Sequence, residues 1–395
     1  MMKAAIVIPS YWADAASASI ASCDYDHTIQ LGEDASQLEA CLASLDQVRG
    51  SFHVILLEVC AASATAEVAE RIRTVALRHP ALEVSVVTNL EASRIIEMVS
   101  NLVPGGTGEC ISLRGYGAIR NMGLAAAAVL GYDVVVFLDD DEVVLGPDFM
   151  DRALFALGQE TRQRLPILAK TGYFLDRAGS PLADCGRRGP AHRWWTKRLE
   201  FNRWMRKALA GTRISRSNHV CGGCFAIHAR AFTRVAFDPF ITRGEDLDYL
   251  FNMRMQGLDV WFDNEWTVRH LPPRPTSTAP RFMQDVYRWY YEREKLACAS
   301  RKKELLSVTA ASLMPYPGPW ISVELDQRVR KTAFRRALLT REHLAYWRIW
   351  RRGSAEATRY ARENAESYLR FQSFWPLIMN RLWLNEELAG ALRSA

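Results

Sequence analysis

No stretch of this chain reaches the roughly 18 uninterrupted apolar residues that a membrane-spanning helix needs. The nearest, residues 124–138, is broken by Tyr132 and Asp133 and divides into a helix, a turn and a strand. The apolar run behind Met1 is too short for a signal peptide and reads as a first strand. Cysteine is sparse: eight residues lie scattered along the chain, which suggests reduced thiols in a cytoplasm rather than a disulfide framework. Cys221-Gly-Gly-Cys224 is the only C-x-x-C. One such pair falls two ligands short of a structural zinc site. The fingerprint G-x-G-x-x-G is missing, with Gly115-Tyr-Gly117 a fragment of it, and so is the phosphate-cradling G-x-x-x-x-G-K-[ST]. These absences exclude an ordinary NAD enzyme and a P-loop ATPase. Internal repeats and low-complexity tracts are also lacking.

What is present is a chain of 395 residues, nearly half of them apolar, which can bury a large core. The formal charge of +6 is modest for that length and does not by itself call for nucleic acid. The sequence is organised around residues 131–142. Residues 132–138 form a short apolar run, rich in β-branched and aromatic side chains, that reads as a strand buried on both faces. It ends in Asp139, Asp140, Asp141 and Glu142. Adjacent acids repel, so a fold gains nothing by placing four of them at the mouth of a core strand. A hard divalent cation, Mn2+ or Mg2+, gives a reason, because it takes carboxylate oxygens and leaves positions open for phosphates. The plainer alternative is a solvated acidic turn.

Strands are expected over residues 3–8, 52–59 and 82–88, and helices over 36–48, 65–79, 91–102 and 116–130, the last stopped by Gly131 as a left-handed cap. Ser36 and Glu39 have the spacing of a capping box. Residues 13–34 form a polar insertion, and 104–108 a glycine-rich break. This alternation predicts βαβ units and an α/β, doubly wound, mostly parallel sheet. Further on, 147–157 reads as a helix, 167–174 and 222–228 as strands, 245–256 as a helix stopped by Gly257, and 259–262 with 267–270 as a final strand pair. Beyond the prolines at 272–275, residues 281–303 and 330–393 read as a basic, aromatic, helical extension, hinged at 315–319.

Two further constellations carry chemistry. Glu245, Asp246 and Asp248 open a helix. Acids there favour the helix dipole, but a carboxylate across a cleft from a metal-bound leaving group is also what a general base requires. His270 ends a strand, and neutral imidazole is a common metal ligand.

In order, Ile6-Val-Ile-Pro-Ser-Tyr11, Gly117-Ala-Ile-Arg-Asn-Met-Gly-Leu124, Phe137-Leu-Asp-Asp-Asp141, Gly222-Gly-Cys-Phe-Ala226, Gly244-Glu-Asp-Leu-Asp248 and His270 resemble the GT-A glycosyltransferases of family 2. The resemblance spans about residues 3–272. It implies transfer of a hexose from a nucleotide diphosphate sugar to a hydroxyl acceptor, with inversion. It also implies site roles. Pro9, Ser10 and Tyr11 would lie against the nucleoside, with Arg120 and Asn121 reaching the nucleotide from the helix before the acids. Asp139 and Asp141 would form the D-x-D, with Asp140 between them; Asp141 and His270 would be direct metal ligands, and Asp139 would be a ligand or lie nearer the ribose. Gly222 and Gly223 would admit the sugar or acceptor. Asp246 would be the catalytic base, with Glu245 beside it. The family's acidic turn after the second strand is replaced by Leu57-Glu-Val-Cys-Ala-Ala-Ser63, where Glu58 would stand in for the base-contacting acid.

Residues 187–216 carry ten Lys or Arg against one Glu and lie where the family places its acceptor segment, which suggests an anionic or lipid-linked acceptor. A solvated helix face would show the same pattern. The aromatic, basic C-terminal segments suit either a peripheral contact with an anionic membrane at its inner surface or packing against the catalytic domain or a second subunit. The chain is divided at 1–145, a nucleotide-sugar half; 146–275, an acceptor and catalytic half of the same domain; and 276–395, the helical extension. Two other functions fit parts of the pattern. Residues 138–143 fit the D-x-D-x-[TV] of haloacid-dehalogenase-like phosphohydrolases and phosphotransferases, with Asp139 as nucleophile, although that motif normally follows a domain's first strand. A catalytically silent sugar- or nucleotide-binding module is the third reading.

Overall fold

The computed structural model describes residues 2–13, 28–31, 35–103, 110–186, 191, 194–272 and 278–393. Most of the insertion at 13–34, the glycine-rich break, the prolines at 273 and 275, and residues 187–190 of the basic segment fall outside that set.

The strand β1 (Ala4–Ala13) is buried along its whole length. Its side chains alternate between two apolar layers, with Ala5, Val7 and Tyr11 facing one and Ala4, Ile6, Ile8 and Trp12 the other. After β1 come β2 (Ile29–Gln30), α1 (Ser36–Leu45), β3 (His53–Val59), α2 (Thr65–Ala76), β4 (Glu83–Val87), α3 (Asn89–Val99), α4 (Tyr116–Leu130), β5 (Val134–Phe137) and β6 (Glu142–Val144). The second half carries α5 (Phe149–Leu154), β7 (Ala169–Leu175), α6 (Lys197–Leu209), β8 (Ile214–Arg216), β9 (Phe225–His228), α7 (Ala229–Phe232), α8 (Glu245–Met255) and β10 (Val260–His270). The C-terminal helices are α9 (Ala279–Ala299), α10 (Leu325–Leu339), α11 (His343–Arg348), α12 (Ser354–Leu382) and α13 (Glu386–Arg393).

Among the described residues the strands form one ten-stranded sheet with the order β4-β3-β1-β5-β9-β7-β10-β6, β2 pairing with β1 and β8 with β10 off that path. β1, β3, β4 and β5 run parallel, as do β7 and β10, while β9 enters antiparallel between the two parallel groups. The fold is the expected α/β, mostly parallel sheet with helices and a helical C-terminal region. The expected final strand pair is instead one strand, β10, whose register against β7 shifts between Phe262 and Thr267. The capping box expected at Ser36 is absent: α1 starts at the uncapped Ala35, and Glu39 turns to Arg78, 3.0 Å away. A capping box does form at Thr88 and Glu91, opening α3.

α4 is the central helix, buried from Gly117 to Leu130. A Cβ on Gly123 would stand 2.6 Å from Val7 Cγ1, so glycine is what lets α4 lie on β1. Gly131 ends the helix at φ 73°, as expected. The C-terminal helices then close over the same face. Leu384 packs against Gly131, Trp375 Nε1 donates to Phe232 O at 2.7 Å, and Tyr368 OH donates to Ala236 O at 3.1 Å. The apolar layer is continuous from the sheet into these helices. Each fully buried aromatic contributes about 2–3 kcal/mol by its removal from water, so burial of these side chains holds the extension on the domain.

Candidate functional site

The chain leaves β5 at Phe137 and turns through the acids, with Glu142 N donating to Asp139 O at 3.0 Å, before β6 pairs with β10. That pairing sets His270 opposite Glu142 and brings its Nε2 within 3.0 Å of Asp141 Oδ2, 129 residues away in sequence. Leu271 N donates to Asp141 O at 2.8 Å, which pins the turn to the end of β10. Asp140 is buried, and its Oδ2 accepts from Tyr11 N at 3.0 Å, so this carboxylate fastens the turn to the end of β1. Asp139 keeps 24% of its side chain exposed. Glu142 is buried beneath Gly223; burial raises its pKa, and Asp139 and Asp141 add to the rise.

Among the described residues, no three His, Cys, Asp or Glu side chains close around one point. Two do approach, and their chemistry suits a divalent cation: the carboxylate of Asp141 matches Mn2+ or Mg2+, and the His270 imidazole is a second donor. Phosphate oxygens would complete such a site, as hard cations held by few protein ligands require. Cys221 and Cys224 are buried free thiols, and among the described residues no further metal ligands gather around them.

The second acidic cluster faces the first. α8 begins after Gly244, which has a φ of 73°. Arg120, 4% exposed on α4, donates from Nη2 to Asp139 Oδ1 at 2.7 Å and from Nε to Glu245 Oε1 at 3.3 Å. Its guanidinium lies 4.9 Å over the Phe137 ring. Burial pushes the Glu245 carboxyl up to about 7; Arg120 pulls it back and Asp246 pushes it further. Asp246 is half-buried beside Gly222, where an added Cβ would lie 3.3 Å from Asp246 Cβ and 3.2 Å from Arg120 Nη2. Arg120, Asp139, Glu245, Asp246 and Gly222 therefore form one connected group around the Arg120 guanidinium.

Other predicted residues lie deeper or are otherwise engaged. Pro9, Ser10 and Tyr11 lie in the second half of β1, in register with Leu57, Glu58 and Val59 of β3. Tyr11 faces Tyr116, with ring centroids 6.3 Å apart. Glu58 accepts from Asn89 N at 3.2 Å and from Cys60 Sγ at 3.3 Å, and burial raises its pKa. Asn121 is not brought to the cleft. It is fully buried, donates to Cys110 O and Phe237 O at 2.9 Å each, and accepts from Phe237 N at 2.8 Å. Its amide is spent on tying α4 to the segment before α8.

Several residues around Asp246 were not expected from sequence. His219, Arg288 and Tyr316 lie close enough to feel its charge. Arg288, on α9, covers Gly244, where a Cβ would sit 1.9 Å from Arg288 Nη1. Its Nε donates to Glu292 at 3.1 Å, while the buried Nη2 has no hydrogen-bond partner among the described residues. Lys197 of the basic segment donates to both oxygens of Asp285, at 2.6 and 2.8 Å, and Arg243 stands 3.8 Å from the same carboxylate. The basic character of α6 and α9 was the only sequence signal for this group. It did not say which cations turn inward.

A family model described as "Glycosyltransferase like family 2" matches residues 33–292. Comparison with curated proteins finds no match. Among solved structures, the chain is similar to the mannosyltransferase PcManGT from Pyrobaculum calidifontis in complex with GDP-Man and Mn2+, at 13% identity over 99% of this chain and 86% of that one, with a TM-score of 0.48. It is also similar to glucosyl-3-phosphoglycerate synthase from Mycobacterium tuberculosis in complex with Mn2+, UDP and phosphoglyceric acid, at 15% identity over 69% and 72% of the two chains, with a TM-score of 0.37.

Proposed function

The chain belongs to the glycosyltransferase-like family 2, and from that membership we propose that it transfers a hexose, with inversion, from a nucleotide diphosphate sugar to a hydroxyl of an anionic acceptor in the cytoplasm. The observation that carries this reading is the Arg120 bridge, which joins Asp139 to Glu245 and so brings the two acidic clusters together; a cleft between them is part of the reading. Asp141 and His270 would hold Mn2+ or Mg2+, and the cation, when bound, neutralises charge on the departing diphosphate. Pro9, Ser10, Tyr11, Glu58 and Asp139 line the way to the nucleoside in this reading. Asp246 accepts the proton of the acceptor hydroxyl as its oxygen bonds to the anomeric carbon. The bond from that carbon to the diphosphate oxygen breaks, and the nucleotide leaves with the electron pair. Gly222 leaves room beside Asp246 for the incoming oxygen.

Lys197, Arg243 and Arg288 support an anionic acceptor, because three cations gather on the Asp246 side of the cleft. A lipid phosphate at the inner membrane surface meets that requirement as a soluble phosphorylated acid does. The phosphohydrolase alternative has no support in the matched family.

The test is a thermal-shift screen of nucleotide diphosphates and nucleotide sugars with and without Mn2+. A ligand that binds only the folded state stabilises it, so a cation-dependent rise with one nucleobase is expected. Asp246→Asn should keep that rise while turnover falls about 10^2- to 10^4-fold. No rise with any nucleotide, or undiminished turnover in Asp246→Asn, would overturn the proposal.

A further inference from the structure

The inner face of α10 packs through Leu325, Val329, Ala333 and Ala337. Its outer face is not covered by the described residues: Phe334 is 39% exposed and Leu338, one turn on, 63%. α11 adds Leu344 at 75% and Trp347 at 41%. The rings of Phe334, Trp347 and Trp350 join the two helices, with Trp347 and Trp350 centroids 4.8 Å apart and Phe334 5.4 Å from Trp350. Large apolar side chains standing together in water mark an interaction surface.

Charge identifies the partner. Residues 327–353 hold nine Lys or Arg and a single acid, Glu342. Glu342 is itself taken up by the backbone N–H groups of Thr278 and Ala279, both at 3.2 Å. Arg348 and Arg351 are exposed beside Trp347, at the spacing that sets residues on one helix face. Protein–protein interfaces also take Trp, Phe and Arg, but their cores are otherwise depleted of charge, whereas here charges of one sign are interspersed with the apolar side chains. That mixture suits a bilayer with acidic headgroups, where apolar groups enter the headgroup–acyl boundary and cations meet phosphate. Among the described residues no helix is long and apolar enough to cross a membrane, so contact would be made along the surface.

We propose that the outer face of α10 and α11 docks this protein on an anionic membrane surface. The face continues toward the cleft. Lys331 Nζ lies 4.2 Å over the Trp194 ring, and Arg328 donates to Glu200 of α6 at 3.0 Å. Lys197, in the first turn of that helix, holds Asp285 on the Asp246 side. A membrane held against α10 therefore abuts the acceptor side of the cleft. Delivery of an acceptor there rests on the transferase reading; the docking itself does not.

Flotation of the full chain with phosphatidylcholine vesicles, with and without phosphatidylglycerol, tests the proposal. Binding is expected only to the anionic vesicles and should weaken as salt rises. A basic residue near an anionic surface is worth about fivefold in partitioning, so Arg348→Glu with Arg351→Glu should lower binding at least about tenfold. Leu344→Glu with Trp347→Glu should do the same through the apolar term. Arg348, Arg351 and Leu344 are exposed, whereas Trp347 also packs on Trp350; the arginine variant should therefore melt as wild type does, and both variants should keep any nucleotide-induced thermal shift, which separates this test from that of the transferase reading. Absence of vesicle binding, equal binding to neutral vesicles, or undiminished binding by both variants overturns the proposal. A dimer that Leu344→Glu with Trp347→Glu dissociates, with no vesicle binding, would assign the face to a second copy of the chain and overturn it equally.

Discussion

Arg120 stands between Asp139, 2.7 Å from its Nη2, and Glu245, 3.3 Å from its Nε. One guanidinium thus joins acids that lie 19 and 125 residues further along the chain. A planar fork with several fixed donors can hold two carboxylates at once, which an ammonium does less well. Removing it strands a buried carboxylate at Glu245 and frees Asp139 to swing. Arg120→Met should lower the unfolding free energy by about 3 kcal/mol, read from urea melts at neutral pH, and should abolish nucleotide binding. Arg120→Lys should recover part of the stability and little of the binding. A melt unchanged to within about 0.5 kcal/mol, the scale of a neutral surface substitution, would show that the bridge holds nothing together.

Gly223 lies over Glu142, and a Cβ there would stand 1.9 Å from Glu142 Oε2. That oxygen also lies 3.4 Å from Asp139 N, so displacing it moves the acidic turn. Gly223→Ala should destabilise by about 1–3 kcal/mol, the usual cost of overpacking, and should weaken nucleotide binding as well. Gly222→Ala, whose Cβ meets Arg120 Nη2 at 3.2 Å and Asp246 Cβ at 3.3 Å, should cost less because those contacts are tight rather than overlapping and a shift of a few tenths of an ångström relieves them. Paired melts and nucleotide titrations of the two variants decide the order.

The parts legible in the sequence were those set by local pattern. The unbroken apolar run of β5, the alanine-rich α4 and the cap at Gly131 follow from periodicity and glycine stereochemistry. The acids at the mouth were visible because four charges have no place after a core strand. Distances were not legible. Nothing local to His270 says that β6 will turn back and set it against Asp141. Asn121 and Asp140 look like ligand-binding residues by type, yet backbone groups from distant segments engage both. Arg288 lies in a helix whose cations all look alike in one dimension, and only the packing of α9 against Gly244 singles it out. β10 was divided in two because Asn264 and Glu265 interrupt its apolar pattern; the strand carries them through a register shift.

α9 is fastened to α8 by a buried charge. Lys295 Nζ donates to Asp238 at 2.8 Å, Asp248 at 2.5 Å and Asn252 at 2.9 Å, with no solvent exposure at the lysine or either carboxylate. Burial opposes its charge, but the two carboxylates outweigh that and raise its pKa. Lys295→Met leaves two acids without their cation and should cost about 3–5 kcal/mol. Since α8 carries Asp246, turnover should fall even where the variant stays folded. Asp246→Asn, by contrast, should cut turnover with little effect on the melt. Urea melts and turnover measured on both variants separate the two effects.

His219 sits among Phe201, Trp204 and Tyr316, with ring centroids 4.9, 5.6 and 6.1 Å away. Burial lowers its pKa from 6.5 to about 4, against a smaller upward pull from Asp246. The folded state therefore keeps the imidazole neutral where the unfolded chain would protonate it. The stability it contributes is complete above pH 6.5 and is lost as pH falls from there toward 4. His219→Asn has no such proton to take up, so its unfolding free energy should fall less than that of wild type between about pH 7 and about pH 5. Urea melts at both pH values measure the difference, and an NMR titration should find the ring neutral at about pH 5. A ring that titrates near 6.5 would place His219 in water rather than in the aromatic wall beside Asp246.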